Sequence, residues 1–431
     1  MSERAPTGMT VGVVGAGITG LSLTHYLRQA GVESHTFESA SRPGGVIRTV
    51  HEDGRVLELG PQRTRHTSLV ADLVDDVGLR DELVVADKDL PLFVYADGRL
   101  RRAPLSIREF LTTDLLSWRG KLRLLAEPLT AAGDPEESAA ELFTRKFGAE
   151  AYHNLIAPLY GGIFGSDPAE MPAKYALTGL LRLEREEGSL LKVFLKHTIA
   201  GGDRPPAVSF ADGMAQLPRA LYEANDDRIS LETPVETVGR DGDGYVLQTP
   251  DDAVAVDEVV LTTPADATAS MLDDIDPDAG RRLRELHYNP LVYVHLEADC
   301  PRAGLGYQVR RDEELKTLGV SWNCSAFGRD GVYTCFLGGM NRPALVDEDE
   351  ATLAAIAREE FADVMGLDAR VLRVTKLPRG FPAYDTTWTA LDGLDLPDGL
   401  HLATNYTARM GVPSRIREAK QLAAEFADVD R

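Results

Sequence analysis

The sequence predicts an α/β protein with a discontinuous Rossmann-like domain, a second domain on a mixed sheet, and a helical insertion. Three observations carry that prediction. A β-branched run, Val11–Val14, feeds Gly15-x-Gly17-x-x-Gly20 and then a helical apolar pattern ending at Gly31. From about 107 to 200 the apolar spacing is mostly helical. A strand pattern from Gly399 to Asn405, near the end of the chain, reads as the strand that closes the first sheet.

The glycine spacing has a physical reading. Gly15 lets the strand turn sharply, Gly17 removes a side chain that would block a pyrophosphate, and Gly20 lets helix and strand pack closely. The phosphates then meet the free N–H groups of the helix start, at Ile18 and Thr19. The next apolar segment, Ser34 to Glu38, ends in an acid 18 residues beyond Gly20, placed to accept a hydrogen bond from an adenosine ribose, with Ser39 beside it. An acid there argues against a 2′-phosphate. Arg42-Pro43-Gly44-Gly45-Val46-Ile47 follows, then Gly60-Pro61-Gln62. This resembles the glutathione-reductase-type flavoprotein pattern, in which a glycine doublet carries the backbone over the cofactor. FAD rather than NAD is therefore expected, in a discontinuous Rossmann-like FAD-binding domain. Its later pieces would supply Val235, Thr262, Pro264, Asn405, Met410, Gly411 and Val412.

Composition sets the bounds. A chain of 431 residues holds two or three domains. The net charge of −22, from 68 acids against 46 bases of which nine are Lys, argues against nonspecific nucleic-acid binding. The same balance fits solubility in concentrated salt, although an Arg-rich, high-GC genome would also lower Lys. Cys300, Cys324 and Cys335 form no CxxC and no even set, so neither a disulfide framework nor a zinc site is expected, and no metal is. The histidines offer no metal spacing. No secretory signal or spanning helix is read, and a reducing cytoplasm is the default. The stretch Ile107–Leu129 mixes Leu111, Trp118, Leu122 and Leu125 with Arg119, Lys121 and Arg123. Contact with the membrane surface stays open there, beside the simpler reading of a helix pair packing on its own domain.

The expected order runs as follows. Residues 1–90 form the first FAD-binding part, with a helix carrying Leu69, Leu73, Val74 and Val77. Residues 91–106 form a hairpin, Leu92–Tyr95 and Leu100–Arg102, around the turn Asp97-Gly98. Residues 107–200 are the helical insertion, interrupted at Leu155–Gly165. Residues 201–285 return to the FAD-binding domain through a meander from Ile229 to Val256 and a strand before Pro264. Residues 286–385 form the substrate domain, and 386–431 close the first sheet and end in a helix from Val412.

Several segments together resemble the protoporphyrinogen oxidase family. They are Pro158-Leu159 with Gly161-Gly162-Ile163-Phe164-Gly165-Ser166-Asp167-Pro168, Gly306-Tyr307-Gln308-Val309, Leu318-Gly319, Phe336-Leu337-Gly338-Gly339 and Phe381-Pro382-Ala383-Tyr384. The resemblance implies an FAD enzyme that aromatises a porphyrinogen, protoporphyrinogen IX or coproporphyrinogen III, in haem biosynthesis. Hydride passes to flavin N5, and O2 reoxidises the flavin to give H2O2. It also implies a mixed-sheet substrate domain and a helical domain that often contacts membranes, while a homodimer stays open. Tyr307, Trp322 and Phe327 would then line a flat apolar cavity.

Departures from the family pattern bear on the substrate. A basic residue usually precedes the strand Leu92–Val94, where this chain has Asp89-Leu90-Pro91. Arg99 and Arg101 are candidate replacements for pairing with a substrate carboxylate, each with a solvated turn as the alternative. Thr404-Asn405-Tyr406-Thr407-Ala408-Arg409-Met410 stands where the family has a glycine-rich segment. Arg409 and Arg63 are candidates for tuning the flavin, beside a plain surface role. No cysteine lies near that segment, so noncovalent FAD is expected. An amine oxidase, a carotenoid-desaturase-like enzyme and a flavin-binding haem-pathway partner without turnover are the alternatives.

Overall fold

The computed structural model describes residues 8–199, 205–407 and 410–429. Its first sheet is parallel throughout, in the order Ile229–Ser230, Glu33–Phe37, Thr10–Val14, Glu258–Leu261, Leu400–Leu402. A central parallel strand is covered on both faces, which is why Thr10–Val14 is apolar almost throughout. Val11 and Val13 pack with the helix Ile18–Ala30 and the C-terminal helix Val412–Val429. Val14 faces the other way, into a core shared with the antiparallel meander Thr237–Asp241, Gly244–Gln248 and Ala253–Val256. Alternate side chains of one short strand thus anchor two layers.

The second sheet has seven strands, ordered Arg370–Pro382, Tyr288–Glu297, Val332–Gly338, Thr317–Trp322, Gly306–Val309, Leu92–Ala96, Arg99–Arg102. Only Gly306–Val309 beside Leu92–Ala96 is a parallel pair. One face carries Val292, Val294, Tyr307, Val320, Trp322, Tyr333 and Cys335, packed on the helix Glu350–Met365. The other face meets the first domain.

Between the strands Arg99–Arg102 and Ala207–Phe210 the chain is helical, from Ile107–Thr112 to Leu190–Ile199. The expected interruption at Leu155–Gly165 is not a break. A π-helical turn, Tyr152–Ile156, runs into the helix Ala157–Phe164. Pro158 follows closely on that π-helical turn, and a residue without an N–H inside a continuous helix is accommodated by just such a local change in the ladder. Lys146, fully buried, is neutralised here by Glu127 at 3.4 Å and by Glu184. Among the described residues no helix is long and apolar enough to cross a membrane.

The cysteine expectation is corrected. Cys300 and Cys324 form a disulfide across 24 residues of sequence, while Cys335 is free and buried. Spacing alone could not show it. The antiparallel pairing of Gly306 with Ser321 brings the loop before one strand alongside the turn after the other. With it goes the cysteine-based ground for a reducing compartment.

Candidate functional site

The fingerprint glycines behave differently once folded. Gly15 turns the chain at φ 102°, with its N–H donating to Phe37 O at 2.7 Å. A Cβ on Gly20 would overlap the Gly15 carbonyl oxygen, so strand and helix can approach only without one. A Cβ on Gly17 would meet no protein atom within 4 Å. Gly17 is also the N-cap of Ile18–Ala30, and no side chain caps that helix. The free N–H groups therefore point into open space beside a residue that leaves room, which is the arrangement a pyrophosphate needs.

Glu38 closes one side. Its Oε2 accepts from Ala16 N–H at 2.7 Å and its Oε1 from Ala40 N–H at 2.9 Å, so the carboxylate is fixed while lone pairs remain for ribose hydroxyls. The Gly44-Gly45 doublet lies against the fingerprint. Gly44 N–H donates to Ala16 O at 2.8 Å, and Arg42 donates to Gly45 O at 2.9 Å. Ile47 is buried beneath this loop and Val46 is exposed above it. Thr262 Oγ1 donates to Val14 O at 2.9 Å and holds the neighbouring strand end. Gly15, Gly17, Gly20, Glu38, Gly44, Gly45 and Thr262 thus gather around one helix start, and they fit an adenine dinucleotide. Ile18 and Thr19 bury their side chains and offer backbone only. On the closing segment Met410 N–H donates to Tyr384 OH at 3.1 Å, and Val412 opens the C-terminal helix. Asn405, Gly411, Val235 and Pro264 make no polar side-chain contact that would assign them. Arg409 lies outside the described residues.

The junction between the domains is polar and highly specified. Gln62 does not face the cradle with its side-chain oxygen, which instead accepts from Asn323 Nδ2 and Thr334 Oγ1, both at 2.8 Å. His295 Nε2 donates to Glu58 O at 3.0 Å, and burial pushes this imidazole down to about 4, so it stays neutral. Glu58 itself accepts from Met214 N–H at 2.9 Å, Thr49 Oγ1 at 2.6 Å and Arg329 at 3.1 Å. Burial raises its pKa and Arg329 opposes that. Arg63 donates to Ser321 Oγ at 2.9 Å. Burial, reinforced by the neighbouring Arg65, pushes Arg63 down to about 10.

The structure gives each substrate-side candidate a partner within the protein. Tyr307 and Trp322 are buried on the face that packs against Glu350–Met365, not on the face toward the first domain. Strand alternation makes this unavoidable once Ser321 and Gln308, their sequence neighbours, face the junction. Phe327 packs with Ala86, Ala207 and Ala326 in a separate small core. Arg99 pairs with Asp114 at 2.8 Å and Arg101 with Asp97 at 2.5 Å, so both are already neutralised. Overlooked in the sequence were the alternate residues Gln308, Ser321, Asn323 and Thr334, polar positions interleaved with apolar ones. A cavity of about 380 Å³ opens at the edge of this region, between the helix Ala157–Phe164 and the strand ends near Thr317 and Gly338.

A glycine-lined dinucleotide cradle facing a mixed sheet across a polar junction defines a two-domain flavoprotein oxidoreductase. Comparison with known proteins narrows this further. The profile of the flavin containing amine oxidoreductases matches residues 18–425, and the chain belongs to that family as an FAD-dependent oxidoreductase. It is 28% identical to protoporphyrinogen oxidase 1 of Spinacia oleracea chloroplasts, over 96% of this chain and 84% of that one. It is 25% identical to coproporphyrinogen III oxidase of Staphylococcus aureus, over 87% and 88%. A solved Exiguobacterium structure, provisionally named a protoporphyrinogen oxidase, superposes with a TM-score of 0.78 at 23% identity, covering 99% of this chain and 100% of that one. Putrescine oxidase shares the fold at a TM-score of 0.73 and 18% identity, over 97% and 98%.

Proposed function

We propose that this oxidoreductase converts a porphyrinogen, protoporphyrinogen IX or coproporphyrinogen III, to the porphyrin in haem biosynthesis, using O2 and noncovalently held FAD. The observation that carries this reading is the end-to-end similarity to relatives of both kinds, covering more than four-fifths of each relative's length. When bound, FAD supplies the two-electron acceptor and the reaction with O2. Residues of this chain do the rest. Gly17 and the helix start hold the pyrophosphate and Glu38 the ribose, while the junction around Gln62, Asn323 and Thr334 fixes the sheet against the cradle. His295, buried and bonded through Nε2 to the Glu58 carbonyl, ties the second sheet to the first domain. None of the cysteines is available for attachment: Cys335 is buried behind the sheet and the other two are paired.

The exposed Leu111, Trp118, Leu122 and Leu125 of the helical insertion support contact with a membrane surface. Sedimentation with anionic lipid vesicles tests that part. The main test is turnover: porphyrin fluorescence and H2O2 are followed with both porphyrinogens and with a panel of amines. Fluorescence growth with matching peroxide is expected. Bleaching of the flavin by an amine and not by a porphyrinogen would replace this reading with amine oxidation.

A further inference from the structure

Arg63 differs from the other arginines at the domain junction. Arg329 pairs with Glu58, Arg373 with Glu52 and Arg101 with Asp97. Arg63 has no carboxylate within ion-pair reach among the described residues. Its Nη1 donates to Ser321 Oγ at 2.9 Å and to Leu305 O at 3.5 Å, and among the described residues its Nε and Nη2 have no hydrogen-bond partner. Leu305 N–H in turn donates to Pro91 O at 2.8 Å, so the guanidinium is delivered to the start of the strand Leu92–Ala96. A half-buried guanidinium with spare donors is costly unless an anion completes it.

The same face of the sheet holds a second polar atom without a partner, packed against Gly162 and Gly319. Gln308 Oε1 is buried without a donor, two residues along the strand from Gly306, which pairs with Ser321. An acceptor lacking a donor and a cation lacking an anion therefore share one face. A ligand with carboxylates on its rim would supply the anion that Arg63 lacks.

We propose that Arg63 binds a carboxylate of the substrate, an inference that rests on the porphyrinogen reading above. It is a specificity-determining contact, since Arg99 and Arg101 are held by acids of their own hairpin region. The planar fork of Arg63, with Nε and Nη2 side by side and free, suits a carboxylate's two oxygens.

The test uses the FAD-loaded protein and equilibrium binding of coproporphyrin III and its tetramethyl ester, which lacks the negative charges. Arg63→Gln is expected to weaken binding of the acid by about 10- to 100-fold, Arg63→Lys by less, and neither to change ester binding. Flavin content and midpoint potential are expected to stay as in the wild type. Unchanged affinity for the acid, or an equal loss for acid and ester, overturns the proposal. So does a lowered potential with unchanged porphyrin affinity, which assigns Arg63 to the flavin. A wild-type protein that holds FAD yet binds neither porphyrin removes the porphyrinogen reading, and the role of Arg63 with it.

Discussion

The cradle and the substrate-side junction are built by different means. In the cradle, backbone meets backbone, Gly20 against Gly15 and Gly44 against Ala16, with the Glu38 carboxylate added on Ala16 N–H. The junction is made by side chains from segments far apart in sequence, a turn, a helix start and a strand, with Gln62, Asn323 and Thr334 meeting on one oxygen. Backbone contacts tolerate almost no added atom, whereas side-chain contacts fail by degrees. The two regions should therefore respond to substitution in different ways.

The largest effect is expected from Gly20→Ala. Its Cβ would overlap a backbone oxygen that cannot rotate away, so a loss of about 3 kcal/mol or more is expected, with most of the protein recovered without FAD. Gly17→Ala sharpens the contrast. No protein atom lies within 4 Å of the added carbon, so melting of the apoprotein should shift by no more than about 1 kcal/mol. FAD affinity should nevertheless fall on the order of 100-fold, because the carbon occupies the pyrophosphate's space. If Gly17→Ala melts the apoprotein as Gly20→Ala does, the distinction between a packing glycine and a ligand glycine breaks.

Next comes the covalent tie on the substrate side. Cys300→Ser opens a loop spanning 24 residues, and loop entropy sets the cost at about 3 kcal/mol. Urea unfolding with and without reductant checks it: the wild type in reductant should match the variant. FAD affinity should hold, since the disulfide lies outside the cradle.

These contrasts explain what was readable. The fingerprint, Glu38 and Gly44-Gly45 are local, and local sterics leave a signature in spacing. The substrate face is not local. Alternation shows that Tyr307 and Gln308 point opposite ways, but which face meets the first domain depends on the helix Glu350–Met365 claiming one of them. Trp322 lies on the same buried face as Tyr307 for the same reason. The Cys300–Cys324 bond needed a strand register between Gly306 and Ser321 that no spacing rule contains. Arg101 could have been discounted, since Asp97 stands four residues before it in the same tight turn.

The pH response should belong to the junction. His295 titrates at about 4 in the fold and at 6.5 when unfolded, because burial disfavours the charged ring. A lowered folded pKa means stability that is present above pH 6.5 and lost as pH falls toward 4. Between pH 7 and pH 5 the loss should be about 2 kcal/mol. His295→Gln should flatten that slope in urea melts taken across the range, whatever its effect at pH 7. An unchanged slope would show that the imidazole is not the group responsible.

The smallest effect tests whether the junction is graded at all. Thr334→Val keeps the shape of the side chain and removes one of the two donors to Gln62 Oε1, while Asn323 Nδ2 still donates at 2.8 Å. Because the acceptor stays bonded, no buried oxygen is orphaned, and the expected cost is about 1 kcal/mol. The cradle lies on the other side of Gln62, whose amide also donates to Glu58 O at 3.1 Å and Gly60 O at 3.0 Å. Those two bonds hold Gln62 in place without help from Thr334, so FAD affinity should not move. If Thr334→Val weakens FAD binding as well, the sheet positions the cradle through Gln62, and the two regions are one cooperative unit rather than two separately specified parts.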